Sequence, residues 1–134
     1  MRHLMVVVLL VVTATLPAGA QKKAFTIADL YRLRSVEDPQ ISPDGKQVAC
    51  VVRESNLDKG TTNCEIYLVN TDGSNLRRMT NNPAADTHPR WSPDGSSLLF
   101  LSTRKDDQQA WILPVNGGEP RQITTFSAGV GRLL

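Results

Sequence analysis

The chain has 134 residues, which is enough for one modest domain and excludes a large two-domain enzyme within this length. Its 15 Lys and Arg residues against 13 Asp and Glu give a formal net charge of +2. This near-neutral balance argues against nucleic acid as the main partner, because phosphate binding needs a basic patch. The 40% of hydrophobic and 21% of charged residues are typical of a globular protein, and two cysteines are too few for a disulfide scaffold.

Residues 1–20 have the three parts of a secretory signal peptide. Arg2 gives a positive start, Leu4–Val12 is an unbroken apolar run, and Ala18-Gly19-Ala20 is a small-residue cleavage site. A membrane-spanning helix needs about 20 apolar residues, so this run is too short for an anchor. We therefore expect cleavage after Ala20, a periplasmic or secreted product, and no association with a membrane afterwards.

A lead-in segment, residues 21–38, follows the signal peptide. Thr26 is a helix N-cap residue, and Asp29 at the third helical position gives a weaker form of the capping box. The sequence therefore predicts a short helix over Ile27–Leu33.

Two copies of one sequence pattern fill the rest of the chain. Ile41–Val52 aligns with Trp91–Ser102 at an offset of 50 residues, and Tyr67–Thr80 aligns with Trp111–Thr124 at an offset of 44. The difference of six predicts a longer loop in the first copy, between Arg53 and Asn63. A period of about 44 with strand-like content lies in the range of propeller blades.

Each copy contains signals for a turn and for several short strands. Ser-Pro-Asp-Gly suits a type I turn, and the apolar runs after it lack alternation, as in strands buried on both faces. Pro114 cannot donate to a ladder and is therefore predicted at an edge or a bulge. The predicted strands are Pro39–Ile41, Val48–Val52, Ile66–Val69 and one ending at Thr80, then His88–Trp91, Leu98–Leu101, Trp111–Val115 and one ending at Thr124.

The doubled Ser-Pro-Asp-Gly with its apolar strand, then I-Y-L-V-N-x-D-G and R-x-T, resembles the WD40-like (PD40-type) repeats of TolB propellers. The N-terminal propeller of prolyl oligopeptidase-family (S9) serine peptidases shares these repeats, and the lead-in from Phe25 to Gly45 favours that branch. The resemblance implies an all-β fold: an incomplete β-propeller of about two four-stranded blades after a short helix. We assign residues 39–82 and 83–126 to the blades and residues 127–134 to the start of a truncated third repeat.

The resemblance also implies a function for the parent protein. Such peptidases hydrolyse short peptides with a Ser-His-Asp triad on an α/β-hydrolase domain, and the propeller limits access to it by size. No G-x-S-x-G elbow occurs here, and Thr125–Gly129, around Ser127, lacks the first glycine. We therefore expect no catalytic, cofactor-binding or metal-binding residue, no cofactor, and no enzyme activity from this chain alone.

The length bears on how the chain is interpreted. A closed ring needs at least four blades, which do not fit, so we interpret the chain as a truncated gene product, a partial gene prediction or one piece of a split protein. Two alternatives remain: a TolB-like periplasmic propeller that binds another protein, and a stand-alone two-blade protein that oligomerises into a ring. The expected partner is a peptide, reached through the parent's catalytic domain, or a protein, and not nucleic acid.

Several single residues have both a structural and a functional interpretation. His88 lacks a plausible nucleophile and is predicted to be structural. Asn70–Asn75 lacks the Gly and Glu of a calcium loop and is predicted to be a hairpin turn. Cys50 and Cys64 form a disulfide or stay free, depending on the register of their hairpin. Packing is predicted for Trp91 and Trp111, and solvated positions for the basic pairs Lys22-Lys23, Arg77-Arg78 and Arg104-Lys105.

Overall fold

The computed structural model describes residues 24–133, so the predicted signal peptide and Lys22-Lys23 lie outside the described residues. The helix α1 spans Ile27–Tyr31, two residues shorter than predicted, because the chain becomes a strand at Arg34. Its capping box is complete: the Asp29 N–H donates to the Thr26 hydroxyl at 3.3 Å, and the Thr26 N–H donates to Asp29 Oδ2 at 3.0 Å. Within residues 24–133, no helix has the length and apolarity to cross a membrane.

Two four-stranded antiparallel sheets follow α1, each with its strands in chain order, which confirms the all-β, two-blade prediction. We call the first sheet blade 1 and the second blade 2. Blade 1 consists of β1 (Arg34–Ile41), β2 (Gln47–Asn56), β3 (Thr61–Asn70) and β4 (Arg77–Arg78). Blade 2 consists of β5 (Asp86–Trp91), β6 (Ser97–Ser102), β7 (Gln109–Pro114) and β8 (Arg121–Gln122).

The extra residues of the first copy extend a ladder and do not form the predicted loop. β2 and β3 stay paired out to Asn56 and Thr61, and only Leu57–Gly60 forms the turn. The added segment carries the β-branched residues Thr61 and Thr62, and the Thr62 and Ser55 hydroxyls lie 3.4 Å apart across the strands. Loop prediction failed here because a hairpin can lengthen from its tip without disturbing the register nearer the core.

The Ser-Pro-Asp-Gly turns have the predicted geometry in both copies. The Gly45 N–H donates to the Ser42 carbonyl at 2.9 Å, and Gly45 has φ of +72°, a conformation that only glycine adopts without strain. Asp44 accepts hydrogen bonds from the Ser42 hydroxyl and the Lys46 N–H, which lower the pKa of its carboxyl. Pro114 lies at the end of β7, beyond the two residues that pair with β8, so its missing N–H removes no bond of that ladder.

The hydrophobic core lies between the two blades. Ala49, Ile66 and Leu68 on one face of blade 1 share a buried cluster with side chains of blade 2, and Met79 and Trp91 pack against it. The members from blade 2 and the segment after it are Leu98, Phe100, Trp111, Leu113 and Val115. Both tryptophans are therefore packing residues, as predicted. The face of each sheet that points away from the other blade is not part of this cluster.

Candidate functional site

The innermost strands of the two blades share an unusual backbone feature. β1 and β5 each contain a bulge, and the bulges hold Asp38 with φ of +47° and His88 with φ of +55°. Both residues precede a proline, and they are 50 residues apart, the offset of the repeat. A proline disfavours the right-handed helical conformation in the residue before it, and Asp and His are among the residues that tolerate positive φ. The bulges are therefore equivalent features of one repeat.

Polar contacts at these strands join blade 1 to blade 2. Arg90 Nη1 donates to Asp38 Oδ2 at 2.9 Å, and the Trp91 indole N–H donates to the Gln40 carbonyl at 2.9 Å. Gln40 Nε2 donates to the other Asp38 oxygen at 2.8 Å. Burial raises the pKa of the Asp38 carboxyl, but the hydrogen bonds from Arg90 and Gln40 outweigh it, so this pKa lies below its usual value.

The geometry does not assemble a catalytic group from the candidates in the described residues. The half-buried His88 has its Nδ1 3.1 Å from the Thr87 hydroxyl, and Ser127 is exposed in the segment after β8. Within residues 24–133 no hydrogen bond links Ser127 to His88, and no cluster of three or more metal-ligating side chains is found. His88 is the left-handed residue of the β5 bulge, and its structural role stays a prediction.

A buried ion pair lies at the start of blade 2. Arg104 Nη2 is 2.6 Å from Oδ2 of the fully buried Asp86, and Arg104 Nε donates to the Ser102 hydroxyl at 3.0 Å. The Arg104 guanidinium also stacks on the Trp111 ring, with its carbon 4.9 Å from the centroid. The expectation that Arg104 is solvated is therefore wrong, because Asp86 and Trp111 hold its charge inside the blade.

A second buried polar group anchors the outermost strand of each blade. Glu65 is 3% exposed and accepts hydrogen bonds from Arg78 Nη2 at 2.7 Å and from the Thr80 hydroxyl at 2.6 Å. In blade 2, 44 residues later, Gln109 accepts from the Thr124 hydroxyl at 2.8 Å. Arg78 itself stays exposed, as predicted, and it is Glu65 that is buried. The Glu65–Gln109 correspondence at the repeat offset was a signal in the sequence that the strand prediction did not use.

The two cysteines are free and buried. Cys50 pairs with Tyr67 across the hairpin, whereas Cys64 pairs with Arg53, three positions further along β2. Because side chains alternate between the faces of a strand, Cys50 and Cys64 point to opposite faces and cannot form a disulfide. Burial raises the pKa of both thiols, which makes them poor nucleophiles.

A shallow depression lies at the surface of blade 1. It lies next to the β3–β4 turn, has a volume of about 410 Å³ and is lined by side chains that include Asp44, Asn70 and Asp72. Asp72 Oδ1 already accepts from the N–H and the hydroxyl of Ser74, at 2.8 and 2.6 Å. The segment Asn70–Asn75 is thus a hairpin turn, as predicted.

A family model and several proteins match this chain. The model described as "TolB beta propeller domain" matches residues 22–130. The uncharacterized peptidase YuxL of Bacillus subtilis is 37% identical over 114 residues, which are 84% of this chain and 17% of that protein. Dipeptidyl-peptidase 5 of Porphyromonas endodontalis is 25% identical over 83% of the chain and 16% of its own length. The Tol-Pal system protein TolB of Bordetella pertussis is 41% identical over 41% of the chain and 13% of its own length.

Solved structures support the same fold. The acylaminoacyl peptidase of Pyrococcus horikoshii superposes on 70% of this chain with a TM-score of 0.58 and 20% identity, over 14% of its own length. TolB of Agrobacterium tumefaciens superposes on 72% of the chain with a TM-score of 0.57 and 27% identity, over 32% of its length. The chain therefore spans about a sixth of the peptidase relatives and about a third of this TolB structure.

Proposed function

The chain belongs to the TolB beta propeller (PD40) family, and on that premise we propose that it is the N-terminal part of the propeller domain of an exported S9-like serine peptidase. In this proposal a catalytic domain outside the chain hydrolyses short peptides, and the propeller limits access to it. The chain supplies two blades of that wall and none of the reacting groups. Two of its relatives are named as peptidases, which supports a hydrolase parent.

One observation carries the peptidase proposal over a generic propeller. The match to YuxL covers 114 residues, more than the span of the two sheets from Arg34 to Gln122, whereas the match to the Bordetella TolB covers 56. The longer match therefore includes residues outside the repeats. The TolB propeller model also extends over residues 22–130, so the support for a peptidase parent is that two peptidases match 84% and 83% of the chain, whereas the Bordetella TolB matches 41% of it.

The polar and apolar contacts between the blades suit a wall that excludes large substrates. The bond from Arg90 to Asp38 and the bond from Trp91 to Gln40 tie the innermost strands together, and the shared core lies directly behind them. In this proposal the wall selects substrates by size, because blades that are joined at their innermost strands do not separate to admit a large folded protein.

Labelling with a fluorophosphonate, which reacts with activated serines, tests the proposal. The locus is cloned with its flanking DNA and expressed, and the product is labelled beside the 134-residue chain. We expect label on a longer product that carries a G-x-S-x-G serine, loss of label when that serine is changed to Ala, and no label on the 134-residue chain. Label on the 134-residue chain, or a longer product without a labelled serine, would refute the proposal.

A TolB-like protein-binding module is the second candidate. The 41% identity to the Bordetella TolB over 56 residues favours it. Its distinguishing result is a frame that continues with further Ser-Pro-Asp-Gly repeats and ends without a hydrolase domain. Such a product stays unlabelled by fluorophosphonate and elutes with a stoichiometric protein partner.

Export is the remaining part of the proposal. We propose that residues 1–20 direct the chain across the membrane and are removed after Ala20, on the strength of the three-part pattern in the sequence. Intact mass measurement of the secreted or periplasmic product tests this. A product that begins at Gln21 supports cleavage, whereas a product that retains Met1 and stays with the membrane fraction contradicts it.

A further inference from the structure

An asparagine followed by a glycine lies in the turn between β7 and β8. Asn116-Gly117 is the single Asn-Gly pair of the sequence, and both residues are exposed. Asparagine is a chemically labile residue, and a following glycine makes it more so, because no Cβ hinders the approach of the glycine nitrogen to the side-chain amide. A Cβ added to Gly117 would meet nothing within 4 Å. The turn therefore leaves open space around that nitrogen.

The repeat provides an internal comparison for this turn. At the offset of 44 residues, residues 72–74 of blade 1 correspond to residues 116–118 of blade 2. In blade 1, Asp72 Oδ1 accepts hydrogen bonds from the Ser74 N–H at 2.8 Å and from the Ser74 hydroxyl at 2.6 Å. The counterpart of Ser74 is Gly118, which has no hydroxyl, and within residues 24–133 no hydrogen bond holds the Asn116 side chain. The turn in blade 2 therefore lacks the contact that fixes the side chain in blade 1.

The N–H of Gly117 is also held less closely than that of the other glycines in such turns. Four Asp-Gly or Asn-Gly pairs occur in the described part of the chain, and in each the glycine N–H donates to the carbonyl three residues before it. The N···O distance is 2.9 Å at Gly45 and Gly95 and 2.8 Å at Gly73. At Gly117 it is 3.2 Å, the long end of the usual range. Of these four nitrogens, that of Gly117 is the most readily freed to react.

The three aspartates in these pairs are protected from the same chemistry by their ionisation. Attack on an aspartate requires the neutral acid, and hydrogen bonds from nearby serine hydroxyls lower the pKa of all three carboxyls, that of Asp94 to about 2. The amide of Asn116 is neutral and needs no protonation before it is attacked. Asn116 is therefore the reactive member of the set.

We propose that Asn116 is a site of spontaneous deamidation. The Gly117 nitrogen loses its proton and forms a bond to Asn116 Cγ, the Cγ–Nδ2 bond breaks, and Nδ2 leaves as ammonia with that proton. The cyclic imide that results adds one water molecule, which opens either of its carbonyls and gives aspartate or isoaspartate. Water is the only co-reactant, so the step needs no oxidant, cofactor or enzyme.

The site does not depend on where the sequence ends. Blade 2 packs beside blade 1, and yet residues 71–76 in the equivalent turn of blade 1 are all exposed. A further blade beside blade 2 would therefore leave Asn116 in contact with water. The aspartate product has the residue type that blade 1 carries at Asp72, whereas isoaspartate adds one carbon to the backbone of the β7–β8 hairpin.

Peptide mapping by mass spectrometry tests the proposal. The folded chain is incubated in mildly alkaline buffer made with heavy-oxygen water. We expect the peptide that contains Asn116 to take up heavy oxygen and to separate into two forms, one that coelutes with the same peptide of Asn116→Asp and one that an isoaspartyl methyltransferase modifies. Asn116→Gln should keep its amide, because its longer side chain disfavours the ring. A folded chain in which Asn116 keeps its amide while another asparagine loses its own would overturn the inference.

Asp72→Asn is the matched control, because it places the same Asn-Gly pair in the turn of blade 1. There Ser74 holds the side chain, and the Gly73 N–H is bound at 2.8 Å. We expect position 72 to deamidate severalfold more slowly than Asn116 within the same folded molecule, and most of this difference to disappear in urea. Equal rates in the folded chain, or a difference that persists in urea, would contradict the role assigned to these hydrogen bonds and overturn the inference.

Discussion

Replacing the buried carboxylate Glu65 by an amide should weaken blade 1 by a defined amount. In Glu65→Gln one of the two acceptor oxygens becomes an NH₂ donor, which must then face Arg78 Nη2 or the Thr80 hydroxyl, both of which donate to Glu65 in the native chain. A hydrogen bond to a charged group contributes about 1.5–3 kcal/mol. The Arg78 side chain is 41% exposed, so water relieves part of its loss, and we expect the free energy of unfolding to fall by about 2 kcal/mol.

Blade 2 suggests the compensating change. There the equivalent positions are Gln109 and Gln122, which serve the same anchor without any charge. The double variant Glu65→Gln/Arg78→Gln places the two glutamines of blade 2 at the equivalent positions of blade 1, and we expect it to recover about 1 kcal/mol of the loss. The exposed pair Arg34–Glu54 offers the control, since Glu54→Gln makes the same chemical change at a surface ion pair worth less than about 0.5 kcal/mol.

Urea unfolding followed by circular dichroism and tryptophan emission measures these differences, at one protein concentration for every variant. With a slope of about 2 kcal/mol per molar urea, the Glu65→Gln midpoint should fall by about 1 M. A loss no larger than that of Glu54→Gln would show that the buried acceptor contributes nothing specific. A double variant no more stable than Glu65→Gln alone would show that the two anchors are not equivalent.

Three further outcomes follow from the described residues. The hydrogen bonds from Arg53 and Ser35 lower the pKa of Glu37 from its ordinary 4.5 to about 2, so the stability that they add is present above pH 4.5 and is lost as the pH falls toward 2. Because this pair is exposed, Glu37→Gln should remove less than about 1 kcal/mol of the pH-dependent free energy of unfolding in acid, and less in high salt. Gly45→Ala should cost about 1 kcal/mol in thermal or urea unfolding because its φ is positive, whereas Gly131→Ala, which has open space and no such φ, should cost nothing measurable. Alkylation of the unfolded, unreduced chain should modify two thiols in a mass spectrum, and a mass that shows no alkylation would reveal a disulfide.

The sequence alone predicted those parts of the fold in which a local backbone conformation requires a particular residue type. The Ser-Pro-Asp-Gly turns require proline and glycine at fixed positions, so both turns and the strands beside them were correctly placed. The hairpin register was not predictable, because it follows from the whole ladder of β2 against β3. That register decided the state of Cys50 and Cys64.

The buried charges were missed for a different reason. Asp86 and Arg104 lie 18 positions apart, and each alone has the sequence context of an exposed charge. Only the pairing of β5 with β6 brings them together, and only the stacking on Trp111 explains why the guanidinium remains inside. The burial of Glu65 was not predicted, although its counterpart Gln109 lies at the repeat offset. The alignment of the two copies rested on their apolar residues, and it does not show that these two polar side chains are buried.

The elongated β2–β3 hairpin determines where this repeat tolerates change. The additional residue pairs of this hairpin lie farther along the strands than the pairs that contact the core. Residues can therefore be added or removed between Leu57 and Gly60 while the register from Gln47 to Val52 stays the same. A peptide tag or a fluorophore placed in that turn should therefore leave both blades intact. This tolerance of length changes in the turn explains how the two copies of the repeat differ in length and still form the same four-stranded sheet.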